Sequence, residues 1–178
     1  PPEPTWLSPN YLPGLEEARL FPIDLMNDGE LEASVGDTLV VDTEVYPNYF
    51  LAAFRSQTTG KITYLESPDL DIAKLKWIVD NFLLVSFNGI AFDIPILAMA
   101  ISGASCTKIH QACELLITDG KRGNEVLRAF GVKQIHPNHI DLIEVAPLDA
   151  SLKIYTGRLH CKKIQDLPFH PGTNLSDD

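Results

Sequence analysis

The chain alternates short apolar segments with Gly- and Pro-marked turns, and the period of each segment predicts an element. Residues 1 to 36 show no sustained period. Pro1, Pro2, Pro4, Pro9, Pro13 and Pro22 forbid regular helix through most of this stretch, which reads as an extended arm pinned by Trp6, Tyr11, Leu20 and Phe21. Gly36-Asp37 turns into Thr38 to Tyr46, an apolar β-branched run that predicts a buried strand. Pro47-Asn48 turns the chain, Tyr49 to Arg55 predicts a second strand, and Lys61 to Leu65 alternates as a third beyond the Thr59-Gly60 loop. Turns this short require an antiparallel meander. Ser67-Pro68-Asp69 signals a helix start, and Leu70, Ala73, Leu75, Trp77, Ile78 and Phe82 recur at helical spacing. Leu83 to Phe87 is short and apolar, which predicts a central strand beside the first and parallel to it.

A helix must then begin near Phe92 to Pro95, because proline is tolerated only in a first turn, and Gly103 suits its C-terminal cap. Lys108 to Ile117 and Asn124 to Phe130 predict two more helices, Ile140 to Ile143 a last strand, and Arg158 to Leu167 a short basic helix. Ser151 to Tyr155 reads as irregular, and Leu175 to Asp178 as the cap and first turn of a further helix. The sum is an α/β domain over residues 37–178 preceded by the arm, with no internal repeat.

Two carboxylates interrupt the first strand. Asp42 and Glu44 are two apart, so they share a face with Cα atoms roughly 6.6 Å apart, while Thr43 points the other way. Like charges held that close at the end of a hydrophobic strand repel, and a hard divalent cation between them relieves the repulsion. An exposed pair at a fraying strand end has the same pattern. Asp93 falls at the predicted helix start, just past the C-terminal end of the neighbouring strand, the edge where open α/β sheets bind ligands. Ordinary N-capping explains such an aspartate when it stands alone; with Asp42 and Glu44 it makes a triad.

Composition narrows the reading. At 178 residues, 45% hydrophobic and 21% charged, the chain is an ordinary globular sequence, and no apolar run approaches the ~20 residues of a membrane helix. Cys106, Cys113 and Cys161 are odd in number and lack CxxC spacing, which fits reduced thiols in a cytosol-like compartment. Cys106, His110 and Cys113 share one helix face, but no further Cys or His pair completes a tetrahedral site, so the stripe reads as buried packing. The net charge of −10 disfavours gripping nucleic acid by bulk charge. Eight of the fourteen basic residues nevertheless follow position 120, which describes either a local basic rim or a solvated face.

Val41-Asp42-Thr43-Glu44 and Phe87-Asn88-Gly89-Ile90-Ala91-Phe92-Asp93 together resemble the first two motifs of the DEDD-type proofreading exonuclease superfamily. The resemblance extends to the order of elements and covers roughly residues 38 to 167. It implies an RNase H-like mixed sheet flanked by helices and a 3′→5′ exonuclease acting on single-stranded DNA ends. It also implies association with a DNA polymerase domain or subunit, in the cytoplasm of a bacterium or phage-infected cell. By the same resemblance Asp42, Glu44 and Asp93 are the catalytic residues and hold two divalent ions, Mg²⁺ or Mn²⁺. Asn88, Phe92 and Thr43 are then the substrate-contacting candidates, with Phe92 placed to stack on a frayed base or to anchor the core. The family's third motif, a Tyr or His followed by a fourth metal-binding Asp, has no match near the end: His160 and Asp166 are six apart. A domain completed by sequence beyond Asp178 is the expectation, so that this chain alone is expected to show little or no turnover, with a catalytically silent module or another RNase H-like nuclease as the competing ones. Asp141 resembles a structural aspartate of the family.

Overall fold

Residues 23–148, 150–159 and 169–176 are described by a computed structural model. Their elements are α1 (Asp28–Ala33), β1 (Thr38–Tyr46), β2 (Tyr49–Ser56), β3 (Ile62–Glu66), α2 (Ile72–Asn81) and β4 (Leu83–Ser86). There follow α3 (Asp93–Ile101), α4 (Cys106–Ile117), α5 (Gly123–Ala129), β5 (His139–Asp141), α6 (Leu142–Val145) and α7 (Leu152–Arg158). The strands form a five-stranded mixed sheet of order β3-β2-β1-β4-β5, flanked by helices, and the architecture is α/β.

The register explains where a crevice opens. β1 pairs antiparallel with β2 along its whole length, from Leu39 opposite Ser56 to Tyr46 opposite Tyr49. On its other side β1 pairs in parallel with β4 only from Thr38 to Val40. The last six residues of β1 therefore outrun β4. The chain leaves β1 toward β2 and β3, then crosses back to β4 and β5, so this gap is the switch point of the sheet at the C-terminal ends of its parallel strands.

The helix that follows β4 is set by composition. Asp93–Ile101 is apolar all round except for its first residue, and a helix without a polar face must be buried. Every residue from Asp93 to Ala100 is buried, with α2, α4, α5 and β1 packed around it. Burial of α3 carries Asp93 into the interior.

Several boundaries differ from the sequence expectations. The arm does not stay irregular to residue 36: Asn27 caps α1, accepting from the Glu30 N–H while Glu30 accepts from the Asn27 N–H, both at 3.0 Å. Met26 and Leu31 enter the core, so the end of the arm belongs to the domain packing. α2 starts at Ile72 behind its cap Asp71, later than the Ser67-Pro68 signal. β5 stops at Asp141 because that residue caps α6. Leu152–Arg158 is helical where the sequence read as irregular; Ser151 precedes it in extended conformation. Trp6, Tyr11, Leu20, Phe21, His160, Cys161, Asp166, most of the expected basic helix, and Asp177-Asp178 lie outside the described residues. Of the Cys106, His110 and Cys113 stripe only Cys113 is buried, beside Ile109 and Ala112, while Cys106 and His110 are half-buried; burial pushes the Cys113 thiol up to about 11.

Candidate active site

β1 alternates along the crevice. Leu39, Val41, Thr43 and Val45 face the core, while Val40 and Asp42 are exposed and Glu44 is half-buried on the opposite face. The period of two thus brings Asp42 and Glu44 together and sends Thr43 inward, as the spacing predicts. Thr43 does not face a cleft. It is buried, and its hydroxyl donates to Asp93 Oδ1 at 2.7 Å, tying the start of α3 to β1. Its place is that of a positioning residue.

All three carboxylates titrate upward. Burial raises Asp93 most, to about 6; the Asp42 charge adds to this, and contacts with Thr43 pull it partly back. Loss of hydration raises Glu44, and the charges of Asp42 and Asp93 raise it further. Asp42 is raised by loss of hydration alone, with a Thr43 main-chain bond opposing. Asp42 keeps much of its surface in water, which screens its charge. Among the described residues no ion pair joins any of the three to a Lys or Arg. Three acids within electrostatic reach of one another and without a paired cation form a site that repels itself.

The loop from β4 to α3 is held by a fourth acid. Asp141, buried at the end of β5, accepts from the Asn88 N–H at 2.7 Å and the Ile90 N–H at 2.8 Å. It also accepts from the Ile143 N–H at 3.2 Å, which caps α6. Between the two clamped residues Gly89 has no room for a side chain, because a Cβ there would lie 1.8 Å from Ser86 Oγ. Asn88 itself is exposed at φ 64°, a left-handed conformation that asparagine tolerates better than most residues. Phe92 is half-buried, with part of its side chain packed against the core cluster.

The donor chemistry fits a hard divalent ion, since three unpaired carboxylates gain by sharing a cation. Their spacing is that of an open set. Among the described residues no three His, Cys, Asp or Glu side chains close on one point that could hold an ion.

Sequence reading missed Tyr46. It continues the period of two from Asp42 and Glu44, and that period alone identifies it. Its ring is buried edge-on to Phe169 with centroids 6.4 Å apart, and burial and then the Glu44 charge raise its hydroxyl. The hydroxyl has no hydrogen-bond partner of normal geometry among the described residues.

In comparisons with known proteins, no family model matches the chain, and no curated protein or solved structure proves similar to it. The chain shows an α/β fold with a five-stranded mixed sheet, and Asp42, Glu44 and Asp93 lie within electrostatic reach of one another near its switch point.

Proposed function

We propose that this chain is a metal-dependent 3′→5′ exonuclease domain of the RNase H-like type, acting on single-stranded DNA ends alongside a DNA polymerase. The observation that supports the reading is that Asp42, Glu44 and Asp93 lie within electrostatic reach of one another beside the β1–β4 gap, with no ion pair to any of them among the described residues. DNA preference and polarity rest on the resemblance of Val41–Glu44 and Phe87–Asp93 to the proofreading motifs. The order of the sheet is compatible with an RNase H-like fold.

Asp42 and Glu44, with Asp93, would hold the divalent ions, which supply an activated water and stabilise the leaving oxygen. Thr43 fixes the rotamer of Asp93 from the core side. Asp141 fixes the main chain of the Asn88–Ile90 turn, so a strand end entering the gap meets a preformed wall.

One observation favours a silent, exonuclease-like binding module instead: no described trio is closed enough to hold an ion. A 5′-labelled single strand separates the readings. With Mn²⁺ a form of the domain that carries the third motif the resemblance calls for is expected to shorten it from the 3′ end, this chain alone little or not at all, and Asp42→Ala with Glu44→Ala in that form to abolish shortening. Binding without cleavage by that form establishes the silent module, and a form that does neither sinks both.

A further inference from the structure

A cavity is lined in part by Ile90 and Ala91 of the Asn88–Asp93 turn and does not include Asp42 or Glu44. Its volume is about 780 Å³, within the range of small-molecule sites. Ile94 and Pro95 of α3, Leu116 of α4 and Leu127 of α5 supply apolar walls. The start of α5 is pressed so close to α3 that a Cβ on Gly123 would lie 2.4 Å from Pro95 Cγ. The wall is thus fixed by packing before any ligand arrives.

The charge of this cavity opposes that of the chain. The protein carries 24 acidic against 14 basic residues, yet none of the lining residues is acidic. Lys121 and Arg122, both exposed, stand on its solvent side. Lys121 makes one loose surface contact, 3.8 Å from Asp119, and Arg122 enters no ion pair among the described residues. Asn124 and Gln134 add two amides, each able to donate and accept side by side.

We propose that this cavity binds a nucleotide, with the base between the apolar walls and the amides and the phosphate on Lys121 and Arg122. An inorganic anion would leave the apolar walls in water, and an uncharged apolar ligand would leave the two cations unused. A heterocycle with hydrogen-bonding edges and an attached phosphate uses all three parts. The site is independent of the exonuclease reading. The nucleotide arrives either free, as a nucleoside 5′-monophosphate, or as one unit of a single strand whose neighbours pass the turn at Ile90 and Ala91, which also line the cavity.

Titration calorimetry of the full chain in EDTA tests this without involving divalent ions. Deoxyadenosine 5′-monophosphate is expected to bind, deoxyadenosine and inorganic phosphate each about tenfold more weakly or worse. Lys121→Glu with Arg122→Glu, two exposed changes whose fold is checked by circular dichroism, should weaken the mononucleotide by at least about tenfold. Asp42→Ala with Glu44→Ala should leave it unchanged, so failure of the nuclease reading does not touch this one. A short deoxyoligonucleotide that binds far more tightly than the monophosphate, and is lost in the charge-reversed variant, identifies a strand as the source. Equal affinities identify the free nucleotide. No binding of either, phosphate binding as tight as the mononucleotide's, or full binding by the charge-reversed variant overturns the proposal.

Discussion

The turn from β4 to α3 has a buried aspartate at each end, and the protein treats them oppositely. Asp141 is 2% exposed and Asp93 4% exposed, so burial does not distinguish them. Asp141 accepts from three main-chain N–H groups. Asp93 receives one side-chain hydroxyl, lies in reach of the Asp42 charge, and is pushed up to about 6. A buried carboxylate surrounded by donors is a brace, and one short of donors is a group whose ionised form waits for another partner. The contrast separates an acid held by three main-chain donors from one that has fewer donors and a like charge in reach.

Removing the brace should have the largest effect. Asp141→Ala leaves the Asn88, Ile90 and Ile143 N–H groups without their acceptor, and we expect a loss of about 4 kcal/mol in urea denaturation. Asp141→Asn, which keeps one acceptor oxygen, should fall between. A loss under about 1 kcal/mol for the alanine variant would erase the comparison.

Asp93→Asn should act with the opposite sign. The Asp93 pKa is raised from 3.8 to about 6 on folding, so its favourable contribution is complete below about pH 4 and is lost as pH rises through about 6. Two units correspond to about 3 kcal/mol at most. In EDTA at pH 7 the variant is expected to be more stable than the parent, and at pH 4 to have no advantage. Mn²⁺ at pH 7 should narrow the gap by stabilising the parent. Denaturation at pH 4, 5, 6 and 7 checks this, and an advantage that does not grow with pH refutes it.

Thr43→Val keeps shape and β-branching but deletes the side-chain donor to Asp93. The expected cost is about 1 kcal/mol. More telling is the direction of titration: without the hydroxyl, which lowers Asp93, its midpoint should move above that of the parent. Carbon NMR of the carboxyl reads this directly. An unmoved midpoint means that Thr43 does not tune the site.

Much of this arrangement was legible in the sequence, because its signals are local. Alternation along Thr38 to Tyr46 gives the strand, and its period of two pairs Asp42 with Glu44. Pro95 fixes where α3 must start, and the uniformly apolar Asp93–Ile101 run requires burial. The meander and the parallel β4 follow from turn lengths. What escaped depends on long-range register. That Thr43 would meet Asp93, fifty residues away, needs the depth at which α3 enters the gap. That Asp141 would clamp Asn88 and Ile90 needs β5 beside β4, which a three-residue strand hardly announces. The Asn27–Glu30 capping box was readable from spacing alone, but the prolines before it drew the reading toward an irregular arm. The cavity between α3, α4 and α5 leaves only a faint trace in sequence, the pair Lys121-Arg122 between glycines, because its walls come from residues that each look like ordinary core.

Asn88 has the smallest expected effect and tests the comparison most finely. It donates its main-chain N–H to Asp141 and holds φ at 64°, and its side chain is exposed. Asn88→Gly keeps the N–H and adopts that φ without strain, so stability should change by no more than about 0.5 kcal/mol. Any larger change in single-strand affinity or in Mn²⁺-dependent cleavage then belongs to the Asn88 amide itself, reaching a ligand in the gap. If affinity, cleavage and stability all stay level, the turn acts through its backbone only: Asp141 sets its shape, Asp93 carries its chemistry, and Asn88 serves both solely by accepting a conformation that few other side chains tolerate.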